Sequence, residues 1–220
     1  MSTSEARASR AQKPRASTAE RRQEILAAAL SVFGTRGYNS GALAEIAEQA
    51  GMTHAGVLHH FGSKEALLVS VLRYRDDADM EGKTDQELPY GEEFLRHLIR
   101  TAEVNATRPG VVQAYTVLSA ESVTAGHPAQ DYFVERMVGL RVRIGDAIRS
   151  TVGPEVAEDR VAAAAAALIA VMDGLQVQWL LDQNAVDMSR TLEFVIDSLL
   201  DRLTGEPAHG VRTNGDATSS

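Results

Sequence analysis

The stretch that decides the fold is Leu43-Ala-Glu-Ile-Ala-Glu-Gln-Ala-Gly51-Met-Thr-His-Ala-Gly-Val-Leu-His-His-Phe61. Leu43, Ile46, Ala47 and Ala50 recur at helical spacing, and Gly51 ends the run. Thr53 can cap a second short helix that reaches about His60. Alanine at position 47 lets two helices approach closely, while Met52 and Val57 plug the angle between them. Helix, glycine turn, helix is the geometry in which a second helix lies in a DNA major groove with its first residues near base edges. The same pattern describes an αα-corner in an ordinary helical protein, so spacing alone leaves both readings open.

Working outward, Ser17 and Glu20 have the spacing of a capping box. They open a helix over 18–36 whose apolar face is Ile25, Leu26, Ala29, Val32 and Phe33, with Gly37 as its left-handed stop. Ser40 is placed to cap the helix that ends at Gly51. Gly62-Ser63 breaks the chain, and Ser63 caps a fourth helix from Lys64 to about Asp79. The second and third helices are shorter than about three turns and need the first and fourth to pack on. After a polar loop at 81–89 come five longer helical patterns, at 89–107, 109–124, 128–151, 154–182 and 188–204. Pro109, Pro128 and Pro154 fall in first turns, and Asp187 is a cap. No strand pattern or repeat appears. The expected fold is all-α with about nine helices: a basic disordered arm (1–16), a head (17–79, its motif at about 42–61), a body (80–204) and a disordered tail (205–220).

Composition narrows the functions. The 220 residues are 44% apolar and 24% charged, which suits a globular chain. There is no cysteine, which excludes disulfides, thiolate zinc sites and thiol nucleophiles. Aromatics at 5% argue against a stacking platform for single strands. The N-terminus has no apolar core of a secretory signal, and Val161–Leu181 is broken by Asp173, Gln176 and Gln178, so a buried helix is expected there rather than a membrane span. A cytoplasmic protein without cofactor follows as the expectation. The net charge of −8 is unevenly divided: residues 1–64 hold eight basic and five acidic residues (+3), and the rest hold fourteen and twenty-five (−11). A cationic piece on an acidic body can be held against a polyanion while the body is repelled.

Residues 19–79 resemble the DNA-binding domain of the tetracycline-repressor (TetR) family of bacterial transcriptional regulators. The marks are Ile25-Leu-Ala-Ala-Ala-Leu30, Phe33, Gly37-Tyr38, Ile46-Ala47, Ala50-Gly51 and His59-His60-Phe61-Gly-Ser-Lys64-Glu-Ala-Leu67-Leu. A weaker likeness, Met172-Asp-Gly-Leu-Gln-Val-Gln-Trp179-Leu-Leu, is similar to the penultimate helix of one regulator subclass. The resemblance implies that Thr53, His54, Ala55 and Gly56 face base edges, and that His59, His60 and Lys64 lie beside phosphate. Leu58 stands where the family usually has a phosphate-binding tyrosine, and leucine cannot donate a hydrogen bond. Ser40 can offer its hydroxyl to a phosphate. His54, His59 and His60 do not have metal-ligand spacing, so no metal is expected.

The same resemblance implies a homodimer built through the last two helices, reading a pseudo-palindromic operator in double-stranded DNA. The apolar stripe Leu192, Ile196, Leu199 and Leu203 is the expected seam, against the plainer reading of intramolecular core. The expected partner of the body is a small-molecule effector. Candidate lining residues are Phe94, His97, Tyr115, Ser119, Tyr132, Met137, Asp173, Gln176 and Trp179, each of which could equally be core. The expected function is a ligand-responsive repressor. The alternatives are a regulator of the same fold with no small-molecule effector, and a helical-bundle enzyme. No paired Glu-x-x-His motif and no Ser or Lys nucleophile arrangement favours the enzyme.

Overall fold

A computed structural model describes residues 17–79 and 89–205. Within them the chain is all-α, with nine helices and no strand: α1 (Thr18–Ser40), α2 (Leu43–Gln49), α3 (His54–Phe61), α4 (Lys64–Asp79), α5 (Glu92–Asn105), α6 (Pro109–Ser122), α7 (Gln130–Val152), α8 (Glu158–Leu181) and α9 (Met188–Thr204). The arm at 1–16, the tail from 206 and the loop up to residue 88 lie outside the described residues.

Side-chain caps open four of the nine helices, α1, α3, α4 and α9. The Ser17 hydroxyl accepts from the Glu20 N–H while the Glu20 carboxylate accepts from the Ser17 N–H, so the capping box forms. Thr53 caps α3 by accepting from the Gly56 N–H at 3.1 Å, Ser63 accepts from the Ala66 N–H at 3.1 Å, and Asp187 accepts from the Arg190 N–H at 3.0 Å. Three expectations need correction. The first helix does not stop at Gly37: that residue takes φ +70°, and the chain kinks there and continues helically to Ser40. Ser40 therefore does not cap α2, whose N-cap is Ala42 with no side-chain hydrogen bond. Pro128 and Pro154 stand outside their helices, which start at Gln130 and Glu158.

Two cores form. Ile25, Phe33, Ile46, Val57, Leu67 and Leu68 close the N-terminal helices around α1, and Tyr115, Leu118 and Phe133 from α6 and α7 join the same cluster. The head is thus not sealed from the body. α1 runs along α6 so closely that a Cβ added at Gly34 would lie 3.1 Å from the Ala114 backbone. The second core unites α5, α7, α8 and α9 through Leu95, Ile144, Ile148, Leu168 and Leu192. Among the described residues α8 is the one helix long and apolar enough to cross a membrane, at mean hydropathy 1.6. It packs instead on α6, α7 and α9, and only 39% of its most apolar stretch is buried.

Candidate nucleic-acid interface and body cavity

The tip of the molecule is built from α2, a turn and α3. Gly51 turns the chain with φ +62°, and the Met52 N–H returns to the Ala47 carbonyl at 2.8 Å. Val57 and Ile46 are fully buried between the helices, and Met52 packs beside them. That leaves Thr53, His54 and Ala55 exposed on the first turn of α3, with Gly56 half-buried. The carbonyl end of α3 is fastened to α1: Arg22 donates to the His60 carbonyl at 2.9 Å, and its guanidinium lies 4.0 Å from the Phe61 ring centre. His59 is exposed and His60 half-buried, their rings 5.8 Å apart.

Lys64 opens α4 at the same end. Its ammonium donates to the Asn39 carbonyl at 3.3 Å and lies 4.5 Å over the Tyr38 ring, so desolvation lowers its pKa. Burial, and the neighbouring Glu65 carboxylate, push the Tyr38 phenol up to about 12. Tyr38 is tied in turn to the body, where the Glu121 carboxylate accepts from its backbone N–H at 2.7 Å. Ser40 is exposed two residues before the Ala42 cap. Among the described residues no cluster of three or more His, Asp or Glu is placed to hold a metal.

A cavity of about 520 Å³ lies in the body between α4, α5, α6, α7 and α8. Of the candidate lining residues, Phe94, His97, Tyr115, Tyr132, Asp173 and Gln176 border it. Ser119, Met137 and Trp179 do not. Ser119 donates to the Thr116 carbonyl within α6 at 3.1 Å, Met137 packs against the second core, and Trp179 is buried in that core. The polar wall has members the sequence reading passed over: Arg75 and Asp76 of α4, and Arg136 and Arg143 of α7. Asp76 is their hub. Its carboxylate accepts from Arg136 at 2.7 Å, from Arg75 at 3.2 Å and from the Tyr132 hydroxyl. The buried Arg75 guanidinium lies 4.3 Å over the Tyr115 ring. Burial raises the Tyr132 and Tyr115 phenols and the Asp173 carboxyl, while the Asp76 charge beside it holds Arg136 above its usual value despite burial. The signal for this wall was faint but present: Tyr132 and Arg136 are four apart and share one face of α7.

Comparison with known proteins agrees with the tip. Residues 25–71 match the family model described as bacterial regulatory proteins, tetR family. The chain is 28% identical over 206 residues to the HTH-type transcriptional regulator TtgR of Pseudomonas putida, covering 86% of this chain and 94% of that one. It is 29% identical over 202 residues to the HTH-type transcriptional repressor BepR of Brucella suis, covering 84% and 94%. Residues 25–71 are of the TetR family. The chain is a DNA-binding transcriptional regulator. In fold it is similar to TylP, a TetR regulator from Streptomyces fradiae, with TM-score 0.60, 22% identity, and coverage of 86% of this chain and 88% of that one.

The last two helices correct one further expectation. Leu192, Ile196 and Leu203 are 1%, 3% and 6% exposed within a single protomer and so have almost no surface to offer a partner. They fill the core against α5 and α8, and Leu199 is half-buried on the same cluster. The open apolar face of this layer comes instead from Phe194 of α9 (71% exposed) and from Val177 and Leu181 of α8 (44% and 84%). Ala163, Ala166 and Ala170 continue that face along α8.

Proposed function

We propose that the chain is a homodimeric repressor that leaves its operator when a small molecule fills the body cavity. Two copies joined through the outer faces of α8 and α9 hold two α3 helices apart by about one turn of DNA, roughly 34–36 Å. The first turn of each α3 enters a major groove, where Thr53, His54, Ala55 and Gly56 meet base edges. His59, His60, Lys64 and Ser40 lie beside backbone phosphates, so phosphate contacts set register and the α3 tip sets sequence. The reading assigns the chain no enzymatic step and a place in the cytoplasm with its DNA.

The observation that carries the ligand-gated part is the position of Asp76. It belongs to α4, the helix that leaves the DNA-reading end, and it is bound from the cavity wall by Tyr132 and Arg136. A ligand that rearranges this wall pulls on α4. It must bind the two spacings of the heads unequally, and a coupling of about 1–3 kcal/mol changes operator affinity roughly 5–150-fold. A thermal-shift screen of metabolites, followed by footprinting of the DNA beside its own gene with each hit, tests this. Hits that stabilise the protein and clear the footprint are expected. Stabilising hits that leave the footprint intact would contradict gating.

A further inference from the structure

The Lys64 ammonium rests on two residues of α1, the Tyr38 ring and the Asn39 carbonyl. Both stand just past the kink at Gly37, and a body residue fixes them there. Glu121 is the single charged residue of α6. Its Oε2 accepts from the Tyr38 N–H at 2.7 Å. Its Oε1 sits so close over Gly37 that a Cβ there would lie 2.0 Å away, so glycine is what admits the carboxylate. From the body side the buried His127 ring meets the same Oε2 at 3.8 Å through Nε2. The His127 Nδ1 accepts from the Ala129 N–H at 3.2 Å, which leaves Nε2 to carry the proton of the neutral ring. That ring also packs edge-on against Tyr38, with centres 5.3 Å apart. The Glu121 charge reaches Lys64 as well: desolvation lowers the lysine pKa, and the Glu65 and Glu121 carboxylates oppose it.

We infer that Glu121 is a positioning residue for DNA binding: from the body it holds the α1 kink, and through Tyr38 and Asn39 the place from which Lys64 meets a phosphate. The inference rests on the placing of Lys64 beside backbone phosphate in the reading above, and deepens it. A carboxylate behind this end of the head opposes the approach of a polyanion, so as a bare charge Glu121 weakens DNA binding. As a latch it strengthens binding, because without the acceptor the part-buried Tyr38 N–H is left unpaired and the kink is free to shift. The two roles differ in sign, and side chains that separate charge from reach tell them apart.

The test is fluorescence anisotropy of the full chain with two duplexes, the DNA upstream of its own gene and one of unrelated sequence, over a range of salt. Glu121→Gln keeps the acceptor and loses the charge. Glu121→Asp keeps the charge and shortens the reach, and Glu121→Ala loses both. Glu121→Gln is expected to bind both duplexes at least as tightly as the unaltered chain. Glu121→Asp and Glu121→Ala should bind both about ten-fold more weakly, with the slope of log affinity against log salt flattened by up to about one. In a Lys64→Ala background the Glu121→Ala loss should fall below about two-fold, since both changes act on one contact. Tighter binding by Glu121→Ala, or the same loss in both backgrounds, would overturn the inference. Where Glu121→Ala does not fold, the Asp and Gln variants decide: weaker binding by Asp alone upholds the latch, and equal affinities overturn it. Lys64→Ala with unaltered affinity and slope refutes the phosphate contact and this inference with it. Lys64→Ala that weakens binding, beside a Glu121→Asp that does not, refutes the latch alone.

Discussion

Asp173 reports on the cavity at the scale of one residue. Burial raises its pKa above the ordinary 3.8, so the folded chain holds its proton more tightly than the unfolded chain does. Stability from that proton is present below the unfolded value and is lost as pH rises through the folded one. Asp173→Asn keeps an oxygen that can accept from Tyr115 and removes the ionisation. Its melting temperature should exceed that of the unaltered chain at pH 7, with the gain shrinking as pH falls toward the usual aspartate range. Thermal unfolding at both pH values checks this, and an equal effect at both would contradict it. Gly37 is the second telling residue. Its φ of +70° disfavours any side chain, and an added Cβ would lie 2.0 Å from the Glu121 carboxylate. Gly37→Ala should lose about 1–3 kcal/mol of stability in urea titration.

At the scale of elements, the short helices around the turn were legible because their signals are local. Thr53, Gly51 and the spacing of Ile46 and Ala47 act within a few residues of themselves. Ser40 misled because a serine before an apolar run is a cap only if the chain has left the helix, and here the helix bends at Gly37 and continues. Pro128 and Pro154 misled for a related reason: proline is tolerated in the approach to a helix as well as in its first turn. The cavity's arginines were unreadable for a different cause. Arg136 and Arg75 look like solvated helix faces until Asp76 and Tyr132, from helices about sixty positions apart, converge on them. Two outcomes belong at this scale. Thr53→Ala should cost about 1 kcal/mol of stability through the lost cap, seen in denaturant unfolding, and should relax base preference in competition binding. Lys64→Ala should weaken binding to all DNA sequences and flatten the slope of log affinity against log salt by up to about one. Unchanged affinity and slope would remove Lys64 from the phosphate contacts.

At the scale of the whole molecule, the all-α class and the cationic N-terminal piece were plain from periodicity and charge. The surface by which two copies meet in the proposed dimer was not. Leu192, Ile196 and Leu203 have the right spacing for a seam, but periodicity does not say whether a stripe faces its own body or another copy, and these face their own. In the proposed dimer the exposed Phe194, Val177 and Leu181 take their place. Phe194→Asp combined with Leu181→Asp should yield soluble monomers in sedimentation velocity, with operator affinity reduced sharply because one head reads too few base pairs. An unchanged dimer would move the seam elsewhere.

The central claim is that two copies of α3 read neighbouring grooves of one duplex. Hydroxyl-radical footprinting of the DNA upstream of its own gene tests it most directly. Two protected half-sites related by a two-fold axis, with centres about one helical turn apart or a multiple of it, are the expected result. A single unpaired patch of protection, or uniform protection with no sequence preference at moderate salt, would contradict it.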